Sequence, residues 1–340
     1  MDLPTFWFLV IALLWLGYLF LEGFDFGVGM LLPIFGSRRS EGGETRRRVM
    51  INTIGPVWDG NEVWLIVAGG ATFAAFPGWY ASLFSTAYLP LLLLLLVLIG
   101  RGVAFEYRGK VDTDRWRRTW DAVIVLASWT APAMVGLVLS ANVFGLPLDA
   151  NGDRLGGWWT IFSLPSVVGA LAVVTFSMLH GAVFLALKTE GEMRARARRF
   201  ALRAGVPLLL PVVALVLLAQ FRAGSAWTWI PLGIALAAGL LGIARVAADR
   251  EGQAFFLQAV ALTAVVVTLF GSLWPNVIPS TVDPAFSLSI ADTAASDYPL
   301  MIMTWVAAFG TPAVLVYQSW TYWVFRKRIG TKHIPPVHAP

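Results

Sequence analysis

Nine apolar stretches, most of about the 20 residues a helix needs to cross the roughly 30 Å hydrocarbon core of a bilayer, dominate this chain. They fall at 6–33, 56–76, 82–103, 120–141, 160–187, 203–220, 227–247, 254–274 and 300–325. With 58% hydrophobic and only 13% charged residues, the chain has too little charge to cover a water-soluble fold of its size. The expected fold is therefore all-α and integral to the membrane: one polytopic domain over 1–340, with no soluble module. The first stretch lacks a basic n-region and a small-residue cleavage site, so it is expected to be a span and not a cleaved leader. Pro207 and Pro211 fall inside the sixth stretch, where a kink is expected.

Basic residues set the orientation. The segments after spans one, three, five, seven and nine hold 23 of the 25 Lys and Arg residues, and only Arg154 and Arg222 fall on the other side. That alternation puts the N-terminus outside and the C-terminus in the cytoplasm. It also explains the net charge of +5 through topology and anionic lipid, and leaves no need for nucleic acid. Trp7, Trp79, Trp158, Trp159, Trp227, Trp229 and Trp274 are expected in an outer aromatic belt, with Trp116, Trp120, Trp320 and Trp323 in an inner one. The outer segment 275–299 has no Lys or Arg and reads either as an ordered, turn-rich loop or as a plain connector.

Ionisable groups inside spans are costly and mark functional sites by default. Glu22 and Asp25 sit three apart on one face of the first span, with Gly29. Gly23 and Gly27 form a GxxxG pair that admits a close neighbour. Glu22 lies about 24 Å along the axis from Phe6, in the inner-leaflet half. Asp59 and Glu62, again three apart, lie near the cytoplasmic start of the second span. Four carboxyl groups at one depth on two consecutive helices could pass protons inward through each other and water. The plainer alternative for Asp59 and Glu62 is a helix start after Pro56, where carboxylates suit the macrodipole, with nearby arginines neutralising all four acids. Asp121 reads as an interface residue and not as a relay member.

The chain has no cysteine, so thiolate chemistry and Cys-held metal sites are excluded. Of three histidines, His333 and His338 lie in the C-terminal tail, and only His180 lies in a span. One membrane histidine cannot supply axial pairs for several haems. Pairing with Met178 is the formal haem alternative, and a hydrogen-bonded structural His180 is the preferred one. No metal site and no complete catalytic site is expected in this chain. A proton-coupled secondary transporter is the rival reading of the acids, but it calls for a midplane pocket, and these acids lie off-centre.

The runs LEGFDFGVGML and NTIGPVWDGNEVWLIVAGGATFAAFPGWY resemble subunit II of cytochrome bd-type quinol oxidases. RGVAFEYRGKVDTDRWRRTWD, LWPNVIPST, SLSIADTAAS and IMTWVAAFGTPAVLVYQSWTYWVFRKRI extend the resemblance, in order, over nearly the whole chain. It implies two four-helix bundles plus a peripheral helix in a bacterial plasma membrane. It also implies a heterodimer with a haem-bearing subunit I, in some members with a small accessory subunit. That partner carries two b-type haems, haem d and the quinol site. The complex oxidises quinol, reduces dioxygen to water, and generates proton-motive force without pumping. Through the WDG motif, the resemblance assigns Asp59 to a cytoplasmic proton route, and depth adds Glu62, Asp25 and Glu22. Some members hold a structural quinone in this subunit, for which Trp58 is the candidate neighbour here.

Overall fold

The computed structural model describes residues 2–334; His338 lies outside them. Twelve α-helices make up most of the fold: α1 Leu3–Phe35, α2 Gly43–Ile54, α3 Trp58–Ala75, α4 Pro77–Thr86, α5 Tyr88–Tyr107, α6 Asp114–Phe144, α7 Leu164–Lys188, α8 Gly191–Ala223, α9 Trp229–Ala247, α10 Glu251–Leu273, α11 Ile290–Thr293 and α12 Asp297–Val324. Eight of these, α1, α5 to α10 and α12, are long and apolar enough to cross a membrane. The stretch expected at 56–76 is α3, 18 residues long, whose first turns carry Asp59, Asn61 and Glu62 and lower its apolarity. The stretch expected at 82–103 is broken at Ala87, so that α4 stands apart and α5 runs on to Tyr107. The sixth expected span begins twelve residues earlier, at Gly191, and continues through Pro207 and Pro211 as one helix.

α1 is the central element. Asp2 caps it by accepting the Thr5 N–H at 3.2 Å, and it runs unbroken for 33 residues. Small residues set its neighbours. A Cβ on Gly27 would stand 1.9 Å from the Ser177 carbonyl oxygen, and one on Gly181 2.4 Å from the Gly27 carbonyl carbon, so α1 and α7 touch backbone to backbone. Gly29 lies against Ser128 of α6, and Gly17 lies under the Trp64 ring of α3. Of the expected GxxxG pair, Gly27 makes the contact and Gly23 has more room. α1, α3, α5 and α6 gather on one side, α7 to α10 on the other, joined through α1–α7 and α6–α7. α12 lies at the edge, with Leu300 its only fully buried residue.

The outer segment is an ordered structure, not a plain connector. Asn276–Ile278 (β1) pairs antiparallel with Leu288–Ser289 (β2). The segment is tied across the helix ends by Ala295 N–H to Ala75 O (2.8 Å), Leu146 N–H to Pro279 O (3.0 Å) and Asn142 Nδ2 to Val277 O (3.0 Å). Trp79 belongs to the core and not to an aromatic belt: it is 2% exposed and donates to Asn142 Oδ1 at 2.7 Å. Trp7 is likewise buried, against α12. Trp158, Trp159, Trp227, Trp229 and Trp274 remain exposed, as interfacial rings should be.

The opposite end is held by ion pairs. Asp121 accepts from Arg38, from Arg47 Nη1 (3.0 Å) and from Arg108 Nε (2.6 Å), while Glu44 takes Arg108 Nη2 at 2.8 Å. Burial opposes the charge of Arg108, but the hydrogen bonds and charges of Asp121 and Glu44 outweigh it and raise its pKa above the usual arginine value. α2, which no apolar pattern marks, sends Arg46 Nε to Phe35 O (3.0 Å) and Arg47 Nε to Gly36 O (2.6 Å), completing the C-terminus of α1. In the second half, buried Glu251 accepts from Arg194 (2.6 Å) and Arg328 (3.4 Å). These contacts bring the five basic segments to one end of the bundle.

Candidate functional site

Three of the four expected acids gather around one arginine. Glu22 on α1 is fully buried and paired with Arg101 Nη1 of α5, itself fully buried. The guanidinium lies between two rings, 4.8 Å from the centroid of Phe26 and 5.0 Å from that of Phe105. Asp25, one turn along α1, is also fully buried, and both Asp25 and Glu62 lie within electrostatic reach of Arg101. Glu62 is half-buried on α3. Asp59 is exposed in the first turn of α3, with Glu62 inward of it. The arrangement therefore grades from an exposed carboxylate to buried ones.

Arg101 was expected in a cytoplasmic loop and instead lies inside α5. The signal was the apolar run GVAF after it, which carries the helix on to Tyr107. Asn61 was not anticipated either. It is fully buried, donates from Nδ2 to Asp25 Oδ2 at 2.8 Å and to Leu21 O at 3.2 Å, and accepts at Oδ1 from Tyr322 (2.7 Å) and Gln318 (3.3 Å) of α12. Gln318 Oε1 in turn accepts the Trp64 indole N–H at 3.1 Å. Among the described residues, Tyr18 Oη, Glu22 Oε2, Asp25 Oδ1 and Arg101 Nε and Nη2 are buried with no hydrogen-bond partner. Such groups are usually satisfied by internal water, which suits a proton-handling site.

Trp58 packs on Phe105, ring centroids 5.2 Å apart, and over Gly102. His180 is fully buried between Phe176 and Phe255, with Nδ1 2.8 Å from the Gln258 amide and Nε2 3.0 Å from Phe20 O. Both ring nitrogens are engaged, so it does not present a free axial ligand. No group of three or more His, Cys, Asp or Glu side chains that could hold a metal ion is found among the described residues. Asp121 sits in the arginine network described above, at an interface between segments.

Two spaces open in the bundle. An apolar cavity of about 180 Å³ lies among α6 to α10, with Ser140 and Gln258 at its wall. A groove of about 540 Å³ runs between α1, α3 and α12 past Trp64, Gly70 and Gly310.

Long apolar helices, basic segments collected at one end and carboxyl groups buried in the half toward that end define a multi-pass membrane protein. Comparison narrows the class. The profile of the family described as cytochrome bd terminal oxidase subunit II matches residues 3–325, and the chain belongs to that family. It is 37% identical to the cytochrome bd ubiquinol oxidase subunit 2 of Bacillus subtilis, over 97% of this chain and 98% of that one. It is 33% identical to the cytochrome bd-I ubiquinol oxidase subunit 2 of Escherichia coli K12, over 96% and 95% of the two chains. The fold matches a chain of the bd oxidase from Geobacillus thermodenitrificans with a TM-score of 0.76 at 21% identity, covering 96% of this chain and all of the other.

Proposed function

We propose that this chain is the haem-free subunit II of a bd-type oxidase that couples quinol oxidation to the reduction of dioxygen to water. In this reading it is a single polytopic domain, N-terminus outside and C-terminus in the cytoplasm. It scaffolds subunit I, which holds the two haems b and haem d, and it supplies part of the cytoplasmic proton route. The observation that carries the proton role is the graded set from exposed Asp59 through Glu62 to Asp25 and Glu22, the last three around Arg101, in the half of the bundle toward the basic segments. Exposed Asp59 takes a proton from the cytoplasm. Glu62 and the buried acids, with internal water, carry it toward the partner. Arg101 offsets their negative charge, so that several carboxyl groups share one apolar region. The Trp58–Phe105 pair is where a structural quinone ring would stack, and a small accessory subunit is compatible with the exposed helix faces.

The test is Asp59→Asn in the purified complex. Oxygen consumption with quinol should fall roughly tenfold or more, as expected for loss of a positioned proton-transfer group, while haem absorption stays intact. Normal turnover would sink the proton role. Loss of the haems together with activity would show an assembly role instead. A colourless homodimer, with no haem-bearing partner on purification, would favour the transporter reading.

A further inference from the structure

We propose that Asn61 is a positioning residue for Asp25: its amide, oriented by α12, occupies Asp25 Oδ2 and leaves Oδ1 as the oxygen that gains and loses the proton. The inference rests on the reading of Asp25 as a proton carrier and goes one step further, to the atom that carries it.

The orientation of the amide follows from donors and acceptors alone. An indole N–H can only donate, so the Gln318 oxygen faces Trp64, 3.1 Å away. The other end of that amide, Gln318 Nε2, must then face Asn61 and requires an acceptor there, Oδ1 at 3.3 Å. This turns Asn61 Nδ2 toward Leu21 O and Asp25 Oδ2. The Leu21 carbonyl, which can only accept, requires the same orientation independently. Tyr322 Oη completes the second acceptor position of Oδ1 at 2.7 Å. All four hydrogen-bonding positions of the fully buried Asn61 side chain are used, and turning the amide over would set oxygen against oxygen at Leu21.

The consequence falls on Asp25. An amide nitrogen carries no free lone pair, so a proton on the lone pair of Oδ2 that faces it would meet an N–H head-on. Asp25 Oδ1 has no hydrogen-bond partner among the described residues and lies in a fully buried side chain within reach of Arg101. A proton therefore adds to Oδ1, forming its O–H bond, and leaves from Oδ1 to the next acid or water. Gln318 and Tyr322 are four apart on one face of α12, and Asn61 and Trp64 three apart on one face of α3. The only fully buried residue of α12 is near its other end, so this polar contact is what relates its inner end to the site.

The experiment uses the purified complex with the Asp25 infrared bands assigned by Asp25→Asn. Asn61→Leu should displace those bands and slow oxygen consumption about tenfold at unchanged haem content, the scale of losing one hydrogen bond to a charged group. Unmoved Asp25 bands would overturn the proposal, because packing alone does not set the vibration of that carboxyl group. If Asn61→Leu does not assemble, the pair Gln318→Leu and Tyr322→Phe leaves Asn61 in place and removes both donors to its oxygen. The bands must then move in that variant, and their constancy is again the overturning result. Full turnover in Asp25→Asn would remove the proton-carrier reading, while the bands in the Asn61 variant would still report whether Asn61 holds the carboxyl group.

Discussion

At the scale of single residues, the Glu22–Arg101 pair is what lets acids exist in the bundle. Each partner is fully buried, so removing one leaves an uncompensated charge in an apolar setting, which costs about 3–5 kcal/mol. Arg101→Met should therefore lower the melting temperature of the detergent-purified complex steeply. Adding Glu22→Gln to it should recover part of the loss, because the double variant buries no lone charge at that pair. A double variant less stable than Arg101→Met alone would refute the pairing as the source of the effect. The acids were legible in the sequence because charge inside an apolar run is conspicuous, and the structure brings Glu22, Asp25 and Glu62 to one arginine. Arg101 was not, because it stands near the end of its apolar run, where it reads as the first residue of a basic loop. Asn61 was hidden for another reason. It is uncharged, and its importance comes from partners 36 and 257 or more positions away that no local pattern connects.

At the scale of elements, the helices were legible from apolar length, and their mutual approach is decided by a few small residues. Gly27 and Gly181 put α1 and α7 in backbone contact, and the atoms a Cβ would strike there belong to main chain, which cannot swing aside. Gly27→Val should cost at least about 1–3 kcal/mol, the usual range for overpacking, read as a lower melting temperature and a smaller yield of monodisperse complex. Gly233 of α9 has nothing within 4 Å of its added Cβ, so Gly233→Ala should stay within about 0.5 kcal/mol of the parent. Equal sensitivity at the two positions would contradict the close crossing. α2 escaped the sequence reading because it is short, polar and basic. What orders it is the α1 carbonyls of Phe35 and Gly36, which need donors at a helix end. The outer segment escaped for the same kind of reason: its hydrogen bonds go to Ala75 and Leu146 and to the Asn142 side chain, all remote in sequence. Turn-forming residues announced a turn-rich segment but not its anchors.

At the scale of the whole molecule, each half of the bundle carries its own ionic lock at the basic end. Asp121 holds Arg38, Arg47 and Arg108, tying α2 and the start of α6 to the ends of α1 and α5. Glu251 holds Arg194 and Arg328, tying the starts of α8 and α10 to the segment after α12. Among the described residues one ion pair links the two, Arg46 to Glu192 at 3.6 Å, and the Glu192 side chain is 52% exposed. A contact so open to solvent contributes little, about 0–1 kcal/mol, and is screened by salt. The locks should therefore act independently. Asp121→Asn leaves Arg38, Arg47 and Arg108 together in a largely buried site, with Glu44 still paired to Arg38 and Arg108 but, among the described residues, not ion-paired to Arg47, and should cost about 3 kcal/mol. Glu251→Gln should cost about 1 kcal/mol, because its arginines reach solvent and can turn to Asp249, to which Arg194 and Arg198 already pair. The two together should sum to within about 0.5 kcal/mol in thermal unfolding of the complex. A coupling above about 1 kcal/mol would mean that the halves share one network through Arg46 and Glu192. Independence would mean that a perturbation in the α7–α10 half leaves the Glu22–Arg101 site in place, so a loss of oxygen consumption in Glu251→Gln would have to arise at the partner and not at the acids of α1 and α3.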